Sequence, residues 1–132
     1  MAAGKYNFNI EQGTTLDFEI AYTDSNSNKI DLTGYTGRMQ LKDKIGGSTT
    51  YITLSSSLSA DGTGLNFSGS NGLNPPTSGT IGIFISANSS SALDFNKAVY
   101  DLEIISGSAY PIVTRLLQGT VTLDKEVTTG GY

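Results

Sequence analysis

The sequence predicts an all-β fold: an antiparallel sandwich or barrel of about eight strands, with at most one short helix. Three observations carry this. Apolar and polar residues alternate with a period of two along most of the chain. Gly, Ser, Thr and Asn fill the short intervals between the alternating segments, and such residues favour turns. Only one segment, 86–95, carries a helix signal.

The elements follow in chain order. In KYNFNI, Tyr6, Phe8 and Ile10 share one face and Asn7 and Asn9 the other. In TLDFEIAYT, Leu16, Phe18 and Ile20 oppose Asp17 and Glu19. DSNSNK (24–29) reads as a polar turn. In IDLTGYTGRMQLKDK, residues 31–34 turn the chain, and a strand follows with Tyr35, Gly37, Met39 and Leu41 against Thr36, Arg38, Gln40 and Lys42. Gly37 is expected to leave room for Tyr35 and Met39. TTYITL (49–54) is β-branched and aromatic, hence a strand. Segment 55–76 reads as loop, a short strand at LNF (65–67), then loop. TIGIFI (80–85) places Ile81, Ile83 and Ile85 together. A Ser or Asn cap opens one or two helical turns ending near Leu93. KAVYDLEII (97–105) sets Tyr100, Leu102 and Ile104 against Asp101 and Glu103. IVTRLLQGTVTLD (112–124) is the last strand. Its register is ambiguous, because Val113, Leu117, Val121 and Leu123 share their parity with Arg115, and Gly119 can mark a bulge. KEVTTGGY reads as a loose tail from about residue 125.

A chain of 132 residues suits one domain, 1–132, able to bury roughly 65–70% of its unfolded surface. Eight scattered Lys and Arg in a chain of net charge −4 argue against a nucleic-acid partner, whose phosphates demand a basic surface. No apolar run approaches the ~18 residues of a membrane span, and MAAGKYNFNI lacks the apolar core of a secretory signal. Cysteine and histidine are both absent. That removes disulfides, thiolate chemistry, the usual neutral-pH base and His- or Cys-built zinc sites. The expectation is a protein with no catalytic residues, no metal and no cofactor.

The candidate sites read as structure. Asp24, Asn26 and Asn28 fit the start of a calcium loop, but Lys29 stands where Gly is needed and Tyr35 where a bidentate Glu is needed. IGGST and GTGLNFSG lack the phosphate-loop spacings. Asp17 with Glu19, and Asp101 with Glu103, put two carboxylates on one strand face, as a glycosidase needs; solubility of an outer sheet face is the simpler reading. Tyr6, Tyr35 and Tyr100 occupy apolar-face positions that suit packing rather than a sugar platform. Arg115 is expected to pair with Asp101 or Glu103.

YNFNIEQGTTLDFEI, DLTGYTGRMQLK, GTIGIFISANSSSALDF, YDLEI and TRLLQGTVTLDKEVT, in that order, resemble small virion structural proteins of tailed bacteriophages. DLTGYT with its following strand is also similar to amino-terminal domains of phage baseplate and receptor-binding proteins, which anchor those proteins to the tail. Arg38 matches the family's arginine after GYT, and Arg115, Leu116, Leu117 and Gly119 match its R-L-L-x-G. Where the family often ends PEVTR, this chain has KEVTTGGY.

The resemblance implies an immunoglobulin-like sandwich without enzymatic activity. It would sit in the virion as an assembly or adaptor module of tail, baseplate or neck. Decoration, or cementing, of the capsid is the alternative. A carbohydrate-binding module for the host surface is a second one. Other virion proteins, or further copies in a symmetric array, are the implied partners. Parity nominates the contact residues. Phe84 lies between Ile83 and Ile85, Val99 and Ile105 share the face of Asp101 and Glu103, and Leu116 opposes Val113 and Leu117. If these strands are neighbours, the four residues form one outward patch.

Overall fold

A computed structural model of the chain describes residues 4–23, 26, 28–69, 75–107 and 110–127. Among these, nine strands and one short helix follow each other as β1 (Gly4–Lys5), β2 (Phe8–Glu11), β3 (Leu16–Ala21), β4 (Tyr35–Lys42), β5 (Thr50–Ser55), β6 (Gly64–Asn66), β7 (Thr80–Ile85), α1 (Ala87–Ser91), β8 (Lys97–Ser106) and β9 (Val113–Asp124). They form a β-sandwich. The larger sheet has the order β1-β9-β8-β4-β5, with β2 also on β9, and the smaller has the order β3-β7-β6.

Most pairings are antiparallel, as alternation and short turns require. The exceptions are β1 and β2, which run parallel to β9. Parallel neighbours need a long crossover, and here the whole intervening domain supplies it.

Alternation places the core between the sheets. Met39, Leu41, Leu54, Leu102, Ile104 and Val121 of the large sheet and Leu65, Ile81, Ile83 and Ile85 of the small one are at most 2% exposed. Each such side chain contributes about 1.5–3 kcal/mol by leaving water. Leu16, Phe18 and Ile20 pack against this core from β3, but only half-buried, because β3 is a sheet edge. Leu32, Leu93 and Phe95 plug the core from loops. Tyr6 departs from its expected core position: it is 45% exposed and its ring flanks Phe8 and Phe18.

Each bulge in the large sheet adds one residue opposite none. In β5 it is Tyr51, between the pairs Leu41↔Ile52 and Lys42↔Thr50. Its ring stacks on Phe95 at 4.6 Å. In β9 it is Leu116, between Leu102↔Leu117 and Glu103↔Arg115. That bulge resolves the ambiguous parity of β9. Val113 and Arg115 face out before it; Leu117, Val121 and Leu123 face in after it. Gly119 is not the bulge. It stands where the N-terminal arm crosses β9, and a Cβ there would run into the Tyr6 carbonyl.

The corner before β4 is a tight turn. Tyr35 N–H donates to Leu32 O at 3.0 Å, Asp31 Oδ1 accepts from Thr33 N–H at 2.9 Å, and Gly34 takes φ +81°. That positive φ at the third turn position is why glycine stands there. Gly37 makes room, but for the opposite sheet rather than for Tyr35 and Met39. A Cβ on it would lie 2.8 Å from Phe67 Cζ and 3.2 Å from Leu65 Cδ1.

α1 is capped by Ser86, whose Oγ accepts from Ser89 N–H at 3.1 Å. Buried Ser90 donates to Thr14 O at 2.7 Å and accepts from Gly13 N–H at 3.1 Å, so the helix holds the β2–β3 turn. The first residues after β9 are tied to the domain, while residues 128–132 of the expected loose tail lie outside the described residues. Lys125 Nζ meets Asp94 Oδ1 at 2.6 Å, and Glu126 N–H donates to Gln12 Oε1 at 3.1 Å.

Tyr100 joins the arm to the core. Its hydroxyl donates to Tyr6 O at 2.6 Å, and the residue is 5% exposed. Burial pushes its phenol up to about 12, and the Tyr6 phenol adds to the rise. Unfolded, a tyrosine ionises near pH ~10, so the folded chain holds this proton more tightly. Its contribution is complete below about pH 10 and is lost as pH rises through the folded value. Urea midpoints should therefore fall across that window. Tyr100→Phe should lose that dependence, at a cost of about 1 kcal/mol for the hydrogen bond at neutral pH. An unchanged alkaline slope in the variant would assign it to other groups.

Candidate functional site

The outer face of the large sheet is a trough of about 760 Å³. Its floor is β9, β8 and β4, with the N-terminal arm along one side and the β4–β5 hairpin at the other. Outward residues of neighbouring strands form rows across it. One row runs Arg115, Glu103, Arg38; the next runs Lys5, Gln118, Asp101, Gln40; the third runs Thr120, Val99, Lys42. Lys44, Ile45 and Gly46 of the hairpin complete the wall. At the arm, Asn7 Oδ1 accepts from Thr120 N–H at 2.9 Å, so β9 keeps its donor satisfied where the ladder breaks between β1 and β2.

The electrostatics of this face oppose those of the whole chain. Five of the eight cations line the trough, Lys5, Arg38, Lys42, Lys44 and Arg115, against two carboxylates, Asp101 and Glu103. Three positive charges are in excess there, so the rest of a chain of net charge −4 carries seven negative charges in excess. The arginines hold the carboxylates: Arg38 Nε lies 2.8 Å from Glu103 Oε1 and Arg115 Nε lies 3.3 Å from Asp101 Oδ2. The expected Arg115 pairing is thus present, and Asp101 and Glu103 serve the outer face. Lys5, Lys42 and Lys44 have no carboxylate within salt-bridge distance among the described residues. Such a surface holds anionic groups by charge-assisted hydrogen bonds.

No protein-family model matches the chain, and no curated protein matches it.

The four nominated contact residues do not form one patch. Val99 lies in the trough, half-buried. Ile105 is on the same sheet face at its other end, beside Val113 of the β8–β9 hairpin. Phe84 belongs to the other sheet, on the outer face of β7 between Asp17 and Gly64. Leu116 is 8% exposed and part of the core, because the bulge turns it inward. Parity assigns a face within a strand, but not the sheet to which the strand belongs.

Asp24 of the calcium-loop reading lies outside the described residues. Among those that are described, no three carboxylates come together as a metal site would need. Asp61 gathers the densest polar cluster. It accepts from Ser59 Oγ at 2.8 Å, Thr63 N–H at 3.0 Å, Ser86 Oγ and Ser89 Oγ at 2.8 Å. These bonds, the one from Ser86 foremost, hold its carboxyl well below the usual carboxylate range. The cluster ties the loop before β6 to the N-terminus of α1.

The lysines were missed as a group because Lys5 stands nearly forty residues before Lys42 and Lys44, and the arginines that line the trough with them come from β4 and β9. Only Lys42, sharing a polar face with Arg38 and Gln40, carried a local signal.

Proposed function

We propose that this chain is a non-enzymatic structural module of a tailed-phage particle, an assembly or adaptor domain of the tail, baseplate or neck. The observation that carries the reading is the trough. Its floor is three hydrogen-bonded strands, its arginines are engaged by carboxylates, and Lys5, Lys42 and Lys44 line it without an ion pair among the described residues. A rigid, charge-patterned sheet face fits the orienting of a macromolecular partner. Its two carboxylates, Asp101 and Glu103, are each held by an arginine, which favours a structural role for them over the acid and nucleophile of glycosyl transfer. The motif order that resembles phage structural proteins supports the same reading. Decoration of the capsid uses the same physics and differs only in where the partner stands. The carbohydrate-binding reading has less support: Tyr100, the trough's aromatic residue, is packed in the core at 5% exposure.

Antibodies raised against the folded domain should label purified particles of the encoding phage in immunogold micrographs. Gold at the tail tip or neck is the expected result. Gold spread over the head would select the decoration reading, and particles without label would overturn both.

A further inference from the structure

We infer that the basic trough receives a second copy of this chain, head to tail, through the acidic outer face of that copy's small sheet. This rests on the assembly role proposed above and names the partner. The two outer faces of the sandwich carry opposite charge. Asp17 and Glu19 stand exposed on β3, and β3, β6 and β7 contain no Lys or Arg; Lys29, bridged to Thr23 just past the end of β3, is the cation nearest them in the strand pairing. Asp17 and Glu19 thus offer two exposed carboxylates to a trough with three positive charges in excess.

Shape agrees with charge. A three-stranded sheet spans roughly 10 Å between its outer strand axes, and the trough from β1 to β4 spans roughly 14 Å. The narrow face therefore lies within the wide one. Apolar groups also correspond. Phe84 projects from β7, the central strand of the narrow face, with Gly82 and Gly62 beside it, while the Leu58 side chain and the Ser55 carbonyl cover Gly64. Val99 in the trough floor and Ile45 on its rim, 90% exposed, are the apolar surface it would cover. The nominated Phe84 and Val99 thus become the two halves of one contact rather than parts of one patch. Trough on trough would set lysine against lysine. Because donor and acceptor faces lie on opposite sides of the molecule, the contact cannot close as a two-fold dimer. It propagates into a ring or a filament.

The test uses the full chain and sedimentation velocity. At low salt the wild type should form species larger than a dimer, and about 0.5 M salt should weaken the association tenfold or more, since the Debye length then falls below roughly 5 Å. Lys42→Glu with Lys44→Glu should be monomeric, as should Asp17→Asn with Glu19→Gln; circular dichroism checks that both fold. Mixed, these two variants regain one intact junction, the acidic face of the first in the trough of the second. They should form one-to-one complexes that grow no further. A wild type monomeric at low salt overturns the inference, as does association indifferent to charge reversal, or a mixture that stays monomeric. A protein that labels virions yet stays monomeric would keep the proposed function and sink this one, pointing the trough to a different virion protein.

Discussion

Gly119→Ala should detach the N-terminal arm from β9 and lower the stability of the domain by about 3 kcal/mol or more. The backbone of Gly119 is not in the left-handed region, so conformational strain is not the cause. The cause is occupancy. Gly119 pairs with Tyr100 on the inner side of the sheet, and the Tyr6 carbonyl fills the space where a Cβ would stand, with Asn7 Oδ1 2.7 Å away. A backbone carbonyl cannot rotate aside as a side chain can.

Three hydrogen bonds converge there and would go together. Tyr6 N–H donates to Gln118 O at 3.0 Å, Tyr100 Oη to Tyr6 O at 2.6 Å, and Thr120 N–H to Asn7 Oδ1 at 2.9 Å. Each contributes about 1 kcal/mol, and the buried Tyr100 hydroxyl left without a partner adds to the loss. Phe8, whose ring lies 5.3 Å from Phe18 and 5.2 Å from Tyr100, would be pulled from both. Urea denaturation measures the loss, and hydrogen exchange at residues 5–11 localises it. Gly46→Ala is the control. Nothing lies within 4 Å of a Cβ there, so its φ of +74° costs only about 1 kcal/mol. Equal losses in the two variants would refute the crossing argument.

The same position shows where a sequence stops informing. Gly119 was singled out from the residues alone, but as a bulge. Its real neighbour is more than a hundred residues away in the chain, and no local pattern encodes a pairing at that separation. Period-two alternation did place Ile81, Ile83 and Ile85 together in the core and Asp101 and Glu103 outside it, because side-chain direction within a strand is a local property. The cap of α1 was legible for the same reason. Strand order was not. β7 sits in one sheet and β8 in the other, so Phe84 and Val99 face opposite ways although both are outward. The trough lay beyond local reading too, since Lys5, Lys42 and Lys44 meet only once β1, β9, β8 and β4 are side by side.

Leu116→Ala should cost about 2–4 kcal/mol, while Val113→Ala, three residues earlier on the same strand, should cost under about 1 kcal/mol. Strict alternation would put Leu116 outside and Val113 inside, so the pair of variants asks which parity governs this part of β9. The extra residue reverses it. Leu116 opposes no residue of β8, since Leu117 pairs with Leu102 and Arg115 with Glu103. Both leucines then lean toward the core, with Leu116 only 8% exposed, and Val113 at 47% stands with Ile105 on the outer face. Truncating Leu116 would leave a cavity under a strand tied to neighbours on both edges, which cannot collapse to fill it. The bulge also aims Arg115 outward at Asp101. Deleting Leu116 would restore regular pairing, with Leu117 still opposite Leu102 and facing in and Arg115 still opposite Glu103 and facing out, so only the Leu116 side chain is lost from the core. The deletion variant should therefore fold, with a urea midpoint lowered about as far as in Leu116→Ala. A deletion variant that cannot fold would show that β9 needs the bulge itself and not only the Leu116 side chain.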